Sequence, residues 1–435
     1  MVEFYNRFRS HFLTQTRDSS KYGLGYLSGL LRMHTQRNLA NVGRQTAMSG
    51  QNLQHFISNS PWSSRALVEA IQDEIKVHPA FAQAILVLDE SAQEKAGEYS
   101  AGAGRQHNGR LGKIEMSQVG VFLSLVTPQV NTWIDGELFI PEHWFDEAHR
   151  AQRQAVGIPE EVSFQTKPEL GLRMIQRAKQ RGIPFQAVVM DELYGRKAEL
   201  RRELDRAHIE YYADVPVDTQ VFLLPPQIAG VPSDEVQTVD QHKDLAWETI
   251  KLRPSERGYL QADFARVRVW TRVAGNYQRE WLLIRKDADQ ITYVLSNAPE
   301  NTTLEQMAWR KSNRYLIERS HQDAKGELGW DEFRARKYRA WEHQLALTIL
   351  AAWFIAETRL DWMQRFSRDP ALLVQYEADV LPQLSVSNVR ELLRAAMPLP
   401  QLSPQEAAQL VTTHLVNRTR SRKSRLRKKK DIPKS

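Results

Sequence analysis

The sequence predicts an α/β protein: a mixed-sheet core, interrupted by a β-rich insertion and flanked by helical regions at both ends. Three observations predict it. Residues 1 to about 80 lack strand-like alternation and read as helices. From residue 84, apolar runs of strand length begin, first in succession and then alternating with helical stretches. Between about 214 and 305, four further strand-like segments crowd together before the pattern returns to helix.

Composition narrows the class. A chain of 435 residues is too long for one simple core, so two to four domains are expected. Its 42% hydrophobic and 26% charged content is that of a soluble globular protein. The longest apolar run, 345–356 with Thr348 inside it, is too short to span a membrane and reads as a buried helix. The N-terminus shows no apolar signal segment, which points to a cytoplasmic, nucleoid-associated protein with no membrane partner. There is no cysteine, so disulfides, thiolate zinc sites and a cysteine nucleophile are all excluded.

The net charge of +7 is unevenly placed. Residues 418–435 hold ten Lys or Arg and one Asp, so the rest of the chain sums to −2. The first fifty residues carry seven Arg or Lys against Glu3 and Asp18. Two basic ends on a slightly acidic body suggest a polyanion engaged at particular regions.

In order along the chain, the helical region 1–80 comes first. Its amphipathic pieces around Leu30, Leu39 and Leu53, the last following Ser49-Gly50, are compatible with a helix-turn-helix DNA reader and equally with any small helical bundle. Strands at 85–88, 118–125 and 132–140 form a plausible antiparallel meander. A helix over 170–181 follows, stopped by Gly182 with Pro184 just beyond. A strand to Met190, a helix over 197–207 and a short strand at 210–213 complete the first part of the core, 81–213. Meander, then alternating helices and strands, is the order of a ribonuclease H-like core. The β-rich stretch 214–305 reads as an insertion domain, with strands around Ile250, Val267, Leu283 and Tyr293. The core resumes over 306–365, helical from 318 to about 362. A helical region, 366–416, follows Pro370, and 417–435 is expected to be a basic, disordered tail.

Three acidic residues stand out against this order. Asp89 ends the run Ala84-Ile85-Leu86-Val87-Leu88, and Asp191 ends Ala187-Val188-Val189-Met190. Glu318 lies in the helical segment Arg314-Tyr315-Leu316-Ile317-Glu318. Taken singly, such residues are usually turn formers, helix caps or solvated charges. Together, two strand-end carboxylates and a helical glutamate can converge on two divalent metals about 4 Å apart, the arrangement used for phosphodiester chemistry.

Four stretches carry a family resemblance. They are Leu88-Asp89-Glu90-Ser91 running into Lys95-Ala96-Gly97, Gly104-Arg105-Gln106 and Gly112-Lys113; Gln118-Val119-Gly120-Val121-Phe122; Met190-Asp191-Glu192-Leu193-Tyr194-Gly195; and Ile317-Glu318 through Lys325-Gly326-Glu327-Leu328-Gly329-Trp330 to His343. Ser60-Pro61-Trp62 and Leu295-Ser296-Asn297-Ala298-Pro299 add to it. Over roughly residues 20 to 360 the chain resembles the DDE transposases of bacterial insertion sequences, in particular the insertion-sequence 701 group, which is related to the insertion-sequence 4 superfamily.

The resemblance implies cut-and-paste transposition of an insertion sequence by a Mg2+-dependent endonuclease and strand transferase. Asp89, Asp191 and Glu318 would be the catalytic residues, holding two Mg2+ ions that Mn2+ can replace. The partners implied are double-stranded DNA, namely terminal inverted repeats and target DNA, and a second copy of the chain in a homodimer on DNA. The superfamily signature Tyr-x2-Arg-x3-Glu-x6-Lys fits Arg314, Glu318 and Lys325, but Lys311 stands at the tyrosine position. Offsets of −4 and +7 from Glu318 put both cations on its helical face, from which they can hold phosphates. Lys311, Arg105 and Lys113 are further expected DNA contacts, and Trp270 and Trp281 are candidates to stack on an extruded base. Glu90 stands where the group often has a second aspartate. His321 reads as a helix-surface residue. A domesticated DNA-binding derivative and a structure-specific nuclease with the same core are the alternatives.

Overall fold

A computed structural model describes residues 1–109, 112–226, 231–239, 241, 244–255, 258–288, 290–399 and 403–430. Its centre is a sheet to which ten strands contribute among the described residues: β1 (Ile85–Glu94), β2 (Gly104–Asn108), β3 (Lys113–Val126), β4 (Asn131–Phe139), β5 (Val188–Met190), β6 (Tyr211–Val215), β7 (Glu248–Ser255), β8 (Gly258–Val273), β9 (Asn276–Lys286) and β10 (Ile291–Ser296). β1, β3 and β4 form the antiparallel meander, and β5 and β6 run parallel to β1. The antiparallel meander is the one the sequence leads one to expect, and the sheet sets these strands in the order β4-β3-β1-β5-β6. β2, which the pattern did not suggest, folds as a hairpin against the first half of β3.

The central strands read as unbroken apolar runs because helices cover both faces of the sheet. Alternation within β1 divides its side chains: Leu86 and Leu88 enter the larger apolar cluster, Ile85 and Val87 the cluster that contains Met307 and Ile317.

The β-rich insertion is an extension of this sheet. β10 pairs antiparallel with β6, from Tyr293 opposite Val215 to Ser296 opposite Tyr212, and β9, β8 and β7 continue outward. A buried ion pair rivets the junction. Arg201, on the helix Ala198–Arg206, places Nε 3.0 Å from Glu280 Oε1 of β9, and the Tyr211 hydroxyl of β6 donates to the same oxygen at 2.6 Å. Removing one partner would leave a buried charge uncompensated.

The N-terminal region is helical as expected, with helices Val2–Phe8, Ser20–Arg32, Leu39–Gln45, Gly50–Ser58 and Ser64–Val77. Asn38, Ser49 and Ser63 cap three of them through their side-chain oxygens. Within the third, a Cβ on Gly43 would lie 2.7 Å from the Met48 carbonyl oxygen, so only glycine admits the close turn that leads to the fourth. These helices do not stand apart from the core. Phe4, Phe12, Trp62 and Leu67 share one apolar cluster with the core strands and with the buried helix Tyr338–Arg365. Trp62 stacks on His343 at 3.8 Å, and the Tyr26 hydroxyl donates to Gln344 at 2.5 Å.

The stretch expected to be helical from 318 to 362 is broken. After the helix Tyr315–Gln322 comes a π-helical turn, Asp323–Glu327, then a short turn at Trp330–Glu332, before helix resumes at Tyr338. Gly329 adopts φ +72°, and a Cβ there would meet Arg37 Cδ at 2.7 Å. Helix Pro404–Lys430 runs through the first part of the tail expected to be disordered. A Ser403–Glu406 capping pair starts it, and its many Arg and Lys residues are good helix formers. Residues 431–435 lie outside the described residues. Among the described residues no helix is long and apolar enough to cross a membrane.

Candidate active site

The site begins with register. β1 and β5 lie parallel with Leu88 opposite Met190, and their pairing ends there, so Asp191 leaves β5 beside Asp89, which stays within β1 opposite Phe122 of β3. Asp191 is also a helix cap: its Oδ1 accepts from the backbone N–H of Leu193 at 3.0 Å and of Tyr194 at 3.4 Å. Asp89 Oδ1 accepts from the Glu90 N–H at 2.8 Å. Both orientations are therefore fixed by backbone donors.

Burial is the largest influence on each, and it disfavours the charged form. Burial, then the neighbouring Asp191, pushes the Asp89 carboxyl up to about 8. Burial, then Glu90, pushes Asp191 up to about 6. Arg314 opposes both shifts without cancelling them.

Glu318 sits differently. On the helix Tyr315–Gln322 its side chain is 52% exposed, and Arg314 Nη2 donates to its Oε1 at 3.0 Å. Arg314 Nε lies 3.5 Å from Asp214 Oδ2, which also accepts from Lys311 Nζ at 2.7 Å. Burial works against the guanidinium's charge, but Asp214, Asp89, Glu318 and Asp191 together raise its pKa. The structure thus brings Asp89 and Asp191 together directly and joins Glu318 to them through Arg314. Among the described residues, no three such ligands lie close enough to hold an ion as they stand. The available donors are carboxylate oxygens, a hard set suited to Mg2+, and in two of these carboxylates the charged form is poorly balanced by the protein. On that chemistry the residues fit a divalent cation. A cavity of about 530 Å3 opens beside them, lined by Asp191, Asp214, Lys311, Arg314, Arg285 and Tyr315 among others.

The motif Asp191-x-x-Tyr194-Gly195 now has a physical reading. Asp191 caps, and buried Tyr194 donates its hydroxyl to Glu90 Oε2 at 3.2 Å. A Cβ on Gly195 would lie 1.9 Å from the Asp214 carbonyl oxygen, so glycine alone lets the chain pass β6 there. Glu90 is occupied, with Lys167 Nζ 2.8 Å from its Oε1.

The remaining expected contacts divide. Lys311 is buried and bound to Asp214, so it supports Arg314 rather than reaching DNA. A chain partner 97 residues away explains why the sequence alone suggested a surface cation. Lys325 is in the π-helical turn, not on a continuous helical face, and its Nζ donates to the Ala92 carbonyl of β1 at 3.0 Å. Arg105 and Lys113 are exposed on the β2–β3 hairpin, where Lys113 pairs with Glu115 at 2.8 Å. Trp281 is covered by the guanidinium groups of Arg268 at 3.9 Å and Arg266 at 4.5 Å, and Trp270 is half-buried in β8.

His321 is not on the surface. Its ring is buried between the edges of Phe122 and Trp133, with Nε2 3.8 Å from Asp89 Oδ2. Burial, then Lys325, pushes it down to about 3, so it is neutral near pH 7. Asp214 is a site residue not expected from the sequence. It follows the apolar run Tyr211-Tyr212-Ala213 as Asp89 and Asp191 follow theirs, and the same signal points to it.

Comparison with known proteins bears on the family of the chain rather than on single residues. A sequence model described as DDE superfamily endonuclease matches residues 3–274. The probable transposase for insertion sequence element IS701 of Microchaete diplosiphon is 26% identical over 346 residues, 72% of this chain and 76% of that protein.

Proposed function

The chain belongs to the DDE superfamily endonucleases, and from that premise we propose that it is an insertion-sequence transposase working by a cut-and-paste route. It cuts double-stranded DNA at terminal inverted repeats and joins the freed ends to target DNA. The observation that carries this reading is the β1–β5 register, which sets Asp89 beside Asp191 where the parallel pairing of two buried strands ends. Likeness to the probable transposase of Microchaete diplosiphon supports it.

Asp89, Asp191 and Glu318 would hold two divalent ions, Mg2+ or Mn2+. When bound, these supply Lewis-acid charge to the attacking and leaving oxygens of an in-line displacement. The strand-borne pair fixes the position of the reacting phosphate against a rigid sheet. Glu318, which pairs with Arg314 here, would be the third residue to hold the ions, and Arg314 is the cation placed to grip a phosphate oxygen. Water attacks phosphorus in the cutting step, and the freed 3′-hydroxyl attacks in the joining step. In each, one P–O bond forms as another breaks, and no covalent bond to the protein is needed.

Recognition of the ends belongs to the N-terminal helices. Helix Leu39–Gln45, a short turn and helix Gly50–Ser58 leave Gln51, Asn52 and His55 exposed. Asn and Gln are suited to reading adenine in the major groove. The basic tail adds affinity without sequence preference. Pairing two ends calls for a homodimer on DNA, and the setting is the cytoplasm.

The test is cleavage of a terminal-repeat duplex in Mg2+ by the full chain, with joining to a target plasmid scored alongside. Cutting without joining would assign the protein to structure-specific nucleases. Replacing Gln51, Asn52 and His55 with Ala should erase discrimination between terminal and random duplex while preserving the fold.

A further inference from the structure

We propose that His321 is a positioning residue for Asp89: its neutral imidazole donates an N–H to Oδ2 and fixes how that carboxylate presents its oxygens. The proposal rests on the transposase reading above. Neither ring nitrogen of His321 has a hydrogen-bond partner, although both are buried. A buried donor left unmade is costly, and most such groups have a partner. The walls around the ring are the edges of Phe122, with centroids 5.3 Å apart, and of Trp133, at 5.5 Å. They would accept a phenyl ring without that penalty. Aromatic packing alone therefore does not account for an imidazole here.

The carboxylate at hand is Asp89, with Oδ2 3.8 Å from Nε2. The gap exceeds a hydrogen bond, but the terminal torsion of an aspartate is broad and rotates at little cost. Asp89 Oδ1 is already held by the Glu90 N–H, so a bond to Oδ2 would fix the second oxygen and complete the orientation. Hydrogen bonds of this kind to a ligating group set metal affinity; their loss typically lowers affinity or activity by about 10- to 100-fold. His321 is borne on the same helix as Glu318, three residues on, so this bond would also couple the helix to the strand-borne pair.

The experiment compares wild type with His321→Phe and His321→Gln in the full chain. Cleavage of a terminal-repeat duplex is measured against Mg2+ concentration, Mn2+ binding is titrated by calorimetry, and thermal stability is recorded. Phe should keep or raise the melting temperature yet move half-saturation by both metals upward about tenfold or more. Gln, which restores an N–H donor, should recover most of that loss. Equal metal affinity in wild type and the Phe variant would overturn the proposal. So would equal losses in Phe and Gln that follow a fall in stability. If wild type binds Mn2+ but does not cut DNA, the transposase reading fails, while the calorimetric shift still decides the role of His321.

Discussion

The strand-borne and helix-borne halves of the site are held in opposite ways. Asp89 and Asp191 are half-buried, fixed by backbone donors and raised toward neutrality by desolvation and by neighbouring carboxylates. Glu318 is half-exposed and already satisfied by Arg314. The difference teaches that the sheet preassembles one part of the site under electrostatic stress, while on the proposed mechanism the helix carries a part that would change partners. Carboxylates that would sit more easily as neutral groups are a standing demand for a cation.

The largest expected effect comes from removing the carboxylates. Ala at Asp89, Asp191 or Glu318 should each abolish Mg2+-dependent cleavage while leaving affinity for terminal-repeat DNA within a few-fold, because affinity comes mainly from basic groups. Near-wild-type cutting by any of the three would remove that residue from the site. Glu90, bound to Lys167 and Tyr194, is a poor replacement for Asp89.

Next in size is the support under Arg314. Lys311→Met should destabilise the fold by about 3 kcal/mol, since it strips a buried partner from Asp214. Asp214→Asn should lower cleavage more than it lowers the melting temperature, because it loosens Arg314 next to Glu318. Equal cleavage in wild type and Asp214→Asn would break the link drawn between the two halves.

A smaller effect separates the halves by pH. The folded-state pKa of Asp89 is raised to about 8 from an ordinary 3.8, so between these values the folded state binds more protons than the unfolded one. Stability without metal therefore falls with rising pH through that window as far as Asp89 is concerned. Asp89→Asn should stabilise the metal-free protein by an amount that grows from pH 4 to pH 8, read as the difference in melting temperature. A flat difference for Asp89→Asn would mean that the strand pair is not stressed.

The smallest effect concerns neither half. Truncation after Val416 should weaken binding to random duplex and flatten its salt dependence by roughly 0.9 log units per log unit of salt for each phosphate the tail had neutralised. Cleavage of saturated substrate should be unchanged. An unaltered salt slope would make the tail a solubilising end only.

Much of the site was legible because strands that are buried on both faces announce themselves as apolar runs, and Asp89 and Asp191 close two of them. The meander and the parallel strands followed from the same signal. What the sequence hid were pairings across long separations. Lys311 looks like a surface cation until Asp214 is brought against it, and His321 looks like a surface residue until Phe122 and Trp133 enclose it. The N-terminal helices and the β-rich stretch looked like separate domains. Local periodicity says which face of an element is apolar, not which neighbour covers it: Trp62 packs on His343, and β10 pairs with β6. A chain beginning near residue 81 would therefore expose part of its own core, which makes point substitutions the sounder probe of DNA reading.

The central claim, that Asp89, Asp191 and Glu318 act as one cation site, is tested most directly by counting bound Mn2+. Electron paramagnetic resonance would be recorded on wild type, Asp89→Asn, Asp191→Asn and Glu318→Gln, each saturated with terminal-repeat duplex. The account expects two Mn2+ per active site in wild type and fewer in every variant. Full occupancy in all three variants, with DNA still bound, would contradict it.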